Sequence, residues 1–174
     1  GGIADYSGSL VLEMPIRERA WVRTAARRDG VWRAYSREAQ RAGMTSVVEA
    51  RTEDLADPGR ARRTLTSDPQ TSWSAYVLGC VPFLLKRGAP KGGADLYLRS
   101  DVPLSKGLSS SAAVEVASME ALAKLFSIRF EGTELPVLCQ KVENLVAGAP
   151  CGLMDQLTCH LGRKDRLLPI LCRP

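Results

Sequence analysis

A glycine and three serines stand together in the run Gly107, Leu108, Ser109, Ser110, Ser111 and Ala112, directly ahead of a stretch with helical periodicity. The chemistry that suits such a junction is anion binding. The first N–H groups of a helix lack intrahelical partners and carry the positive end of its dipole, so a loop without bulky side chains lets a phosphate approach them. The same serines would also serve as ordinary helix caps. Two carboxylates downstream extend the set. Glu143 stacks with Cys139 and Val146 at the margin of an apolar helical stripe, a position either solvated or turned into a cleft. Asp155 follows the turn Gly148–Ala149–Pro150–Cys151–Gly152 and falls in the first turn of a helix. There the dipole favours its ionised form, which suits capping or accepting a proton from a hydroxyl.

The elements that must position these groups are legible in the spacing. Ala112, Val116, Met119, Ala123 and Phe126 alternate four and three residues apart and predict a helix after the serines, with Glu120 and Lys124 as an outward i,i+4 pair. Ala94, Leu96 and Leu98 alternate with Asp95, Tyr97 and Arg99, so a strand released by Gly92–Gly93 leads into the serine loop. Leu135, Leu138, Cys139, Val142, Leu145 and Val146 predict the helix that carries Glu143. Thr133 is its N-cap and Gln140, Lys141 and Asn144 its polar face. Trp73, Tyr76, Val77, Cys80, Val81 and Leu84 form another stripe, kinked or shortened by Pro82. Strands are expected at Leu10–Ile16, Ala20–Arg27, Val31–Ser36, Ser46–Arg51 and Leu167–Leu171. Arg28–Asp29–Gly30 is expected to close a tight hairpin, and Asp57 to Pro69 to form a polar, basic surface connection.

Composition narrows the classes. A chain of 174 residues, 45% apolar and 25% charged, is ordinary for one soluble domain with a substantial core. No window approaches the roughly 20 continuous apolar residues of a spanning helix, and the start carries no signal pattern, so a cytoplasmic protein without a membrane partner is expected. Five cysteines without a C-x-x-C pair, beside a single histidine, indicate reduced and mostly buried thiols rather than a disulfide framework or zinc site. His160 shares a helical pattern with Leu153, Leu157 and Leu161 and is read as a packing or capping residue. The net charge of +5 comes largely from arginines between Arg17 and Arg63. They are interleaved with acids and lack aromatic stacking platforms, so a solvated basic face is expected and nucleic acid is not.

The stretches PLSKGLSSSAA, VENLVAGAPCGLMDQ and the opening GGIADYSGSLVL, in that combination, resemble the GHMP kinases and, within them, the galactokinase and L-arabinokinase branch. The resemblance runs over nearly the whole chain. It implies an α/β fold of the α+β type, a mixed sheet backed by helices, with residues 1–174 as one N-terminal, ATP-binding domain. It implies ATP and Mg2+ as cofactors, a monosaccharide as acceptor, and transfer of the γ-phosphoryl to its anomeric hydroxyl. By position in the motifs, Gly107 to Ala112 would cradle the nucleotide phosphates, Ser111 and Glu143 would flank the metal, and Asp155 would accept or orient the sugar proton. Asp5 and Tyr6 would hold the sugar with Cys151 and Gly152, while Trp73 would border the adenine.

Departures from the family pattern refine these expectations. Gly2 and Ile3 stand where galactokinases carry an acidic residue and a histidine that reach the hydroxyl on the sixth carbon. Small and apolar residues there suit a sugar without that carbon, so L-arabinose is favoured over galactose. Ser105 replaces a usual glycine. The family's upstream arginine and its second domain lie outside these residues, so a trimmed N-terminal domain is expected. Association through apolar surface is expected where that domain would dock. A galactokinase-type enzyme and a non-catalytic sugar- or nucleotide-binding fragment are the alternative readings.

Overall fold

The turn at Arg28–Asp29–Gly30 does not close a hairpin. In the structure, a computed structural model that describes residues 8–103 and 106–172, β2 (Ala20–Ala26) and β3 (Val31–Ser36) are separated by β5 (Gly93–Ser100). That strand pairs antiparallel with β2 and parallel with β3. The cause lies at Gly92 and Gly93. The N–H groups of Arg27 and Gly30 donate to the carbonyls of Gly93 and Gly92, each at 3.0 Å, so the incoming chain threads between the arms of the turn. A Cβ on Gly93 would stand 2.0 Å from the Val31 carbonyl oxygen, and its φ of +87° is one that side chains disfavour. β4 (Val47–Arg51) adds antiparallel to β3 and completes the order β2-β5-β3-β4. A mixed sheet is thus present, as expected, in an order the local turn signal does not reveal.

The inward residues of this sheet include Trp32, Ala34, Val48, Ala50, Ala94, Leu96 and Leu98, all buried. Helices cover that face: α5 (Ser110–Leu125) lies on β2 and β5, and α3 (Ala75–Leu78) on β3. Burying a side chain the size of Leu96 stabilises the fold by roughly 1.5–3 kcal/mol, so this layer contact dominates the energetics. Trp32 sits at its end, with Phe126 edge-on at 5.9 Å and its Nε1 donating to Thr52 Oγ1 at 2.9 Å. The opposite face is open. There Tyr35 and Tyr97 stack at 4.4 Å and Arg99 lies over Trp21, which corrects the expectation of no aromatic platform. Alternation along single strands places these rings on one face, but only the β3–β5 pairing brings the tyrosines together.

The segment from Asp57 is also more ordered than its composition indicates. Asp57 accepts a hydrogen bond from the Arg60 N–H at 2.9 Å and caps α2 (Pro58–Thr66), which buries Ala61 and Leu65. Two apolar residues among arginines give too thin a stripe to be read as a helix. A short α1 (Arg37–Arg41) is capped by Ser36. The Trp73 stripe is broken as Pro82 predicts, into a 3-10 turn (Ser72–Ser74), α3, and α4 (Val81–Leu85) with Pro82 in its first turn. β1 (Leu10–Glu13) pairs antiparallel with β6 (Leu168–Leu171) as a separate ribbon. Its outward face is apolar, with Leu10 65%, Leu12 61% and Leu171 51% exposed.

Candidate active site

Helix α5 begins without a side-chain cap. Ser109 occupies the N-cap position in a left-handed conformation, φ 55°, and its hydroxyl makes no capping bond. The capping reading of the serines is therefore not the one the structure takes. Gly107 is left-handed as well, at φ +68°, and a Cβ there would meet nothing within 4 Å. A non-glycine residue held at positive φ is uncommon and is concentrated at ligand clamps. Leu108 and Lys106 are exposed beside it, and Ser110 and Ser111 are half-buried on the first turn. The first N–H groups of this 16-residue helix thus have no side-chain cap.

Further along, α6 (Glu134–Lys141) passes into a π-helical turn, Val142–Ala147. Thr133 stands at the N-cap of α6 but makes no side-chain bond, whereas Glu134 Oε2 accepts the Glu131 N–H at 3.0 Å. The wider i→i+5 winding re-aims the side chains that follow. Leu145, expected in the stripe, is exposed, and Glu143, placed at its margin, is only 7% exposed. Such single-turn π segments gather at functional sites. They leave no mark on hydrophobic periodicity, which is why the direction of Glu143 could not be read from spacing.

The turn that follows is fastened to this helix. The Cys151 N–H donates to Asn144 Oδ1 at 2.8 Å, and its carbonyl accepts from Gln140 Nε2 at 3.3 Å. Gln140 and Asn144, expected on a solvated face, therefore hold Cys151 and the buried Gly152 in place. Burial, then the charge of Glu143, pushes the Cys151 thiol up to about 12, so it is protonated at neutral pH. α7 (Met154–Leu161) starts just beyond and carries Asp155 in its first turn. Among the described residues no hydrogen bond closes onto the Asp155 carboxylate, so it is not occupied with capping.

One cluster here was missed from the sequence. Gln156 is fully buried, and its Nε2 donates to Glu143 Oε2 at 2.9 Å and lies 3.3 Å from Glu115 Oε2. Glu115, one turn after Ser111 on α5, is wholly buried. Burial, then the Glu143 charge, pushes its carboxyl up to about 10. The Tyr76 phenol is raised by burial and then by the charges of Glu143 and Glu115. Trp73 is tied elsewhere, its Nε1 donating to the Thr45 carbonyl at 2.8 Å while the ring packs on the core. A buried polar side chain on an otherwise apolar helix face was the available signal for Glu115.

The donors at these positions are oxygens. Among the described residues no group of three or more His, Cys, Asp or Glu side chains could hold a metal by itself. A hydroxyl on Ser111 and a carboxylate on Glu143 fit a hard cation such as Mg2+ that keeps waters and shares phosphate oxygens with a nucleotide. A helix start without a side-chain cap fits phosphate oxygens. Asp5, Tyr6, Gly2, Ile3 and Ser105 lie outside the described residues. His160 lies on the outside, its Nδ1 2.8 Å from Glu120 Oε1. The expected pairing of Glu120 with Lys124 is not formed; Glu120 turns across to α7 instead. Cys80, Cys139 and Cys172 are buried, Cys151 is half-buried, and Cys159 is exposed. No helix among the described residues is long and apolar enough to cross a membrane.

A mixed sheet backed by helices, with a glycine- and serine-flanked helix that lacks a side-chain cap, defines an α/β domain. The family described as GHMP kinases N terminal domain matches residues 75–163, and the chain belongs to the GHMP kinase family. It is 38% identical to the L-arabinokinase of Arabidopsis thaliana, over all of this chain and 20% of that protein. To the galactokinase of Actinobacillus pleuropneumoniae it is 35% identical, over 99% of this chain and 41% of that one. The structure of Lactococcus lactis galactokinase complexed with galactose superposes with a TM-score of 0.80 at 26% identity, over 97% of this chain and 40% of that one. Methanococcus jannaschii mevalonate kinase shares the fold at a TM-score of 0.72 and 16% identity, over 95% of this chain and 47% of that one. The chain spans less than half the length of each of these relatives.

Proposed function

We propose that residues 1–174 form the nucleotide- and sugar-binding domain of an ATP-dependent sugar kinase that converts L-arabinose to L-arabinose 1-phosphate. The observation that carries this is the start of α5, which has no side-chain cap and is preceded by Gly107 and Ser109, both left-handed. Gly107 to Ala112 bind the nucleotide phosphates. Ser111 and Glu143 hold Mg2+, which when bound neutralises charge developing on the phosphates. Asp155 takes the proton of the anomeric hydroxyl as its oxygen bonds to the γ-phosphorus and the bond to ADP breaks. Cys151 and Gly152, with Asp5 and Tyr6, line the sugar. Positioning and charge neutralisation account for most of such a reaction, so one unoccupied carboxylate is enough acid–base equipment.

Galactose is the second reading, favoured by the likeness to the galactose-bound structure. A side-by-side assay of ADP formation by the full-length natural protein decides between them, with L-arabinose expected to be the better acceptor. Preference for galactose would overturn the pentose reading. Asp155→Asn is expected to lower turnover at least 100-fold while leaving nucleotide affinity nearly unchanged. Parallel loss of binding and turnover would make Asp155 structural.

A further inference from the structure

Gln156 is adjacent to Asp155 in sequence and points the other way, into the core. Successive helical residues are about 100° apart, so anchoring Gln156 also sets the direction in which Asp155 emerges. Its amide nitrogen meets Glu143 Oε2 at 2.9 Å and Glu115 Oε2 at 3.3 Å. An amide NH2 has two hydrogens, one for each carboxyl. This one side chain therefore joins the three segments that carry the candidate groups: α5 behind the phosphate loop, the π turn with Glu143, and α7 with Asp155. The Cys151 thiol and the Glu115 carboxyl also border Glu143, and the same amide lies 3.6 Å from Cys151 Sγ, so Gln156 touches each of the groups that surround this carboxylate.

We propose that Gln156, backed by Glu115, is a positioning residue that fixes the Glu143 carboxylate toward the nucleotide-bound cation; this rests on the assignment of Glu143 above. Partners that orient a metal-facing carboxylate characteristically control metal affinity by about 10- to 100-fold without touching the metal. A residue needed only for packing would instead lower stability and all binding together. The two roles therefore separate by their dependence on Mg2+.

The test is calorimetric titration of the full-length natural protein with a non-hydrolysable ATP analogue, with and without Mg2+. Gln156→Met, which keeps the volume and removes the donor, is expected to reduce the Mg2+ enhancement of affinity about 10-fold or more while metal-free affinity stays within about twofold. Glu115→Gln keeps an acceptor for the amide and is expected to keep the wild-type Mg2+ enhancement; its loss in that variant overturns the backing role of Glu115. An unchanged enhancement in Gln156→Met, or equal loss with and without Mg2+, overturns the proposal. If Gln156→Met does not fold, Gln156→Asn, whose amide is too short to reach both carboxyls, is judged by the same criteria. Glu143→Gln separates the two levels of argument. Intact enhancement in that variant removes the assignment of Glu143 and this inference with it, whereas altered enhancement beside a normal Gln156→Met removes the inference alone.

Discussion

The first turn of α5 and the turn after it are built on opposite terms. At the first, a Cβ on Gly107 would meet nothing within 4 Å, and Ser109 is left-handed without a capping bond. At the second, Glu115 is wholly buried, as is Ser118 three residues further on, and among the described residues Glu115 Oε1 and Ser118 Oγ have no hydrogen-bond partner. The proposed phosphate contacts thus lie where the fold asks little of the side chains, and the polar groups proposed to position the site lie where the fold asks most. The comparison is best strained first at Glu115. Replacing it with Ala removes a buried side chain and leaves the Gln156 amide short of an acceptor, so a loss of about 3 kcal/mol or more is expected in urea unfolding. A loss below about 1 kcal/mol would mean the inner turn is as permissive as the outer one.

The protonation of Glu115 gives the next effect in size. Its carboxyl is raised to about 10 in the folded protein by burial and then by Glu143, against an ordinary carboxylate value when unfolded. Between those two values the folded state holds a proton that the unfolded state has released. The stabilisation from this group is complete below the unfolded value and is lost as pH rises through the folded one, at up to about 1.4 kcal/mol per pH unit. Glu115→Gln is therefore expected to flatten the fall in stability measured by denaturation between about pH 6 and 9. An equally steep decline in the variant would assign the slope to another group.

These turns were not equally legible in sequence. The conformation of the glycine- and serine-rich loop was the more readable, because glycine and serine ahead of a regular stripe constrain the backbone directly. The inner cluster was not. Glu115 falls among apolar neighbours and carries no local turn or capping signal, and its partners lie 28 and 41 residues away, on the π turn and α7. The sheet divides in the same way. Strand positions followed from alternation, but the insertion of β5 between β2 and β3 depends on Gly92 and Gly93 meeting a turn more than sixty residues earlier. Likewise Gln140 and Asn144 looked solvated because their partner, the Cys151 backbone, has no signature in composition.

At the outer turn the contrast predicts a small effect on the fold and a larger one on the ligand. Gly107→Ala introduces a Cβ that meets no neighbour but must accept φ +68°. That strain costs about 1 kcal/mol. Unfolding should therefore register a minor loss, while the affinity for an ATP analogue falls more than the stability change accounts for. Loss of several kcal/mol in unfolding, with nucleotide affinity intact, would reverse the assignment of the two turns.

The outward face of α5 provides the smallest effect and a check on the scale of the others. Glu120 Oε1 and His160 Nδ1 are 2.8 Å apart across α5 and α7, with the glutamate half exposed, so water screens the pair even when the histidine is charged. A double-mutant cycle of Glu120→Ala and His160→Ala should give a coupling below about 1 kcal/mol, and one that weakens as salt is added. The same helix pair is joined on its inner side by Glu115 and Gln156. A coupling at Glu120–His160 as large as the loss expected at Glu115 would mean that α7 is held from the surface. The position of Asp155 would then be set by the exposed end of the helix rather than by the buried amide beside it.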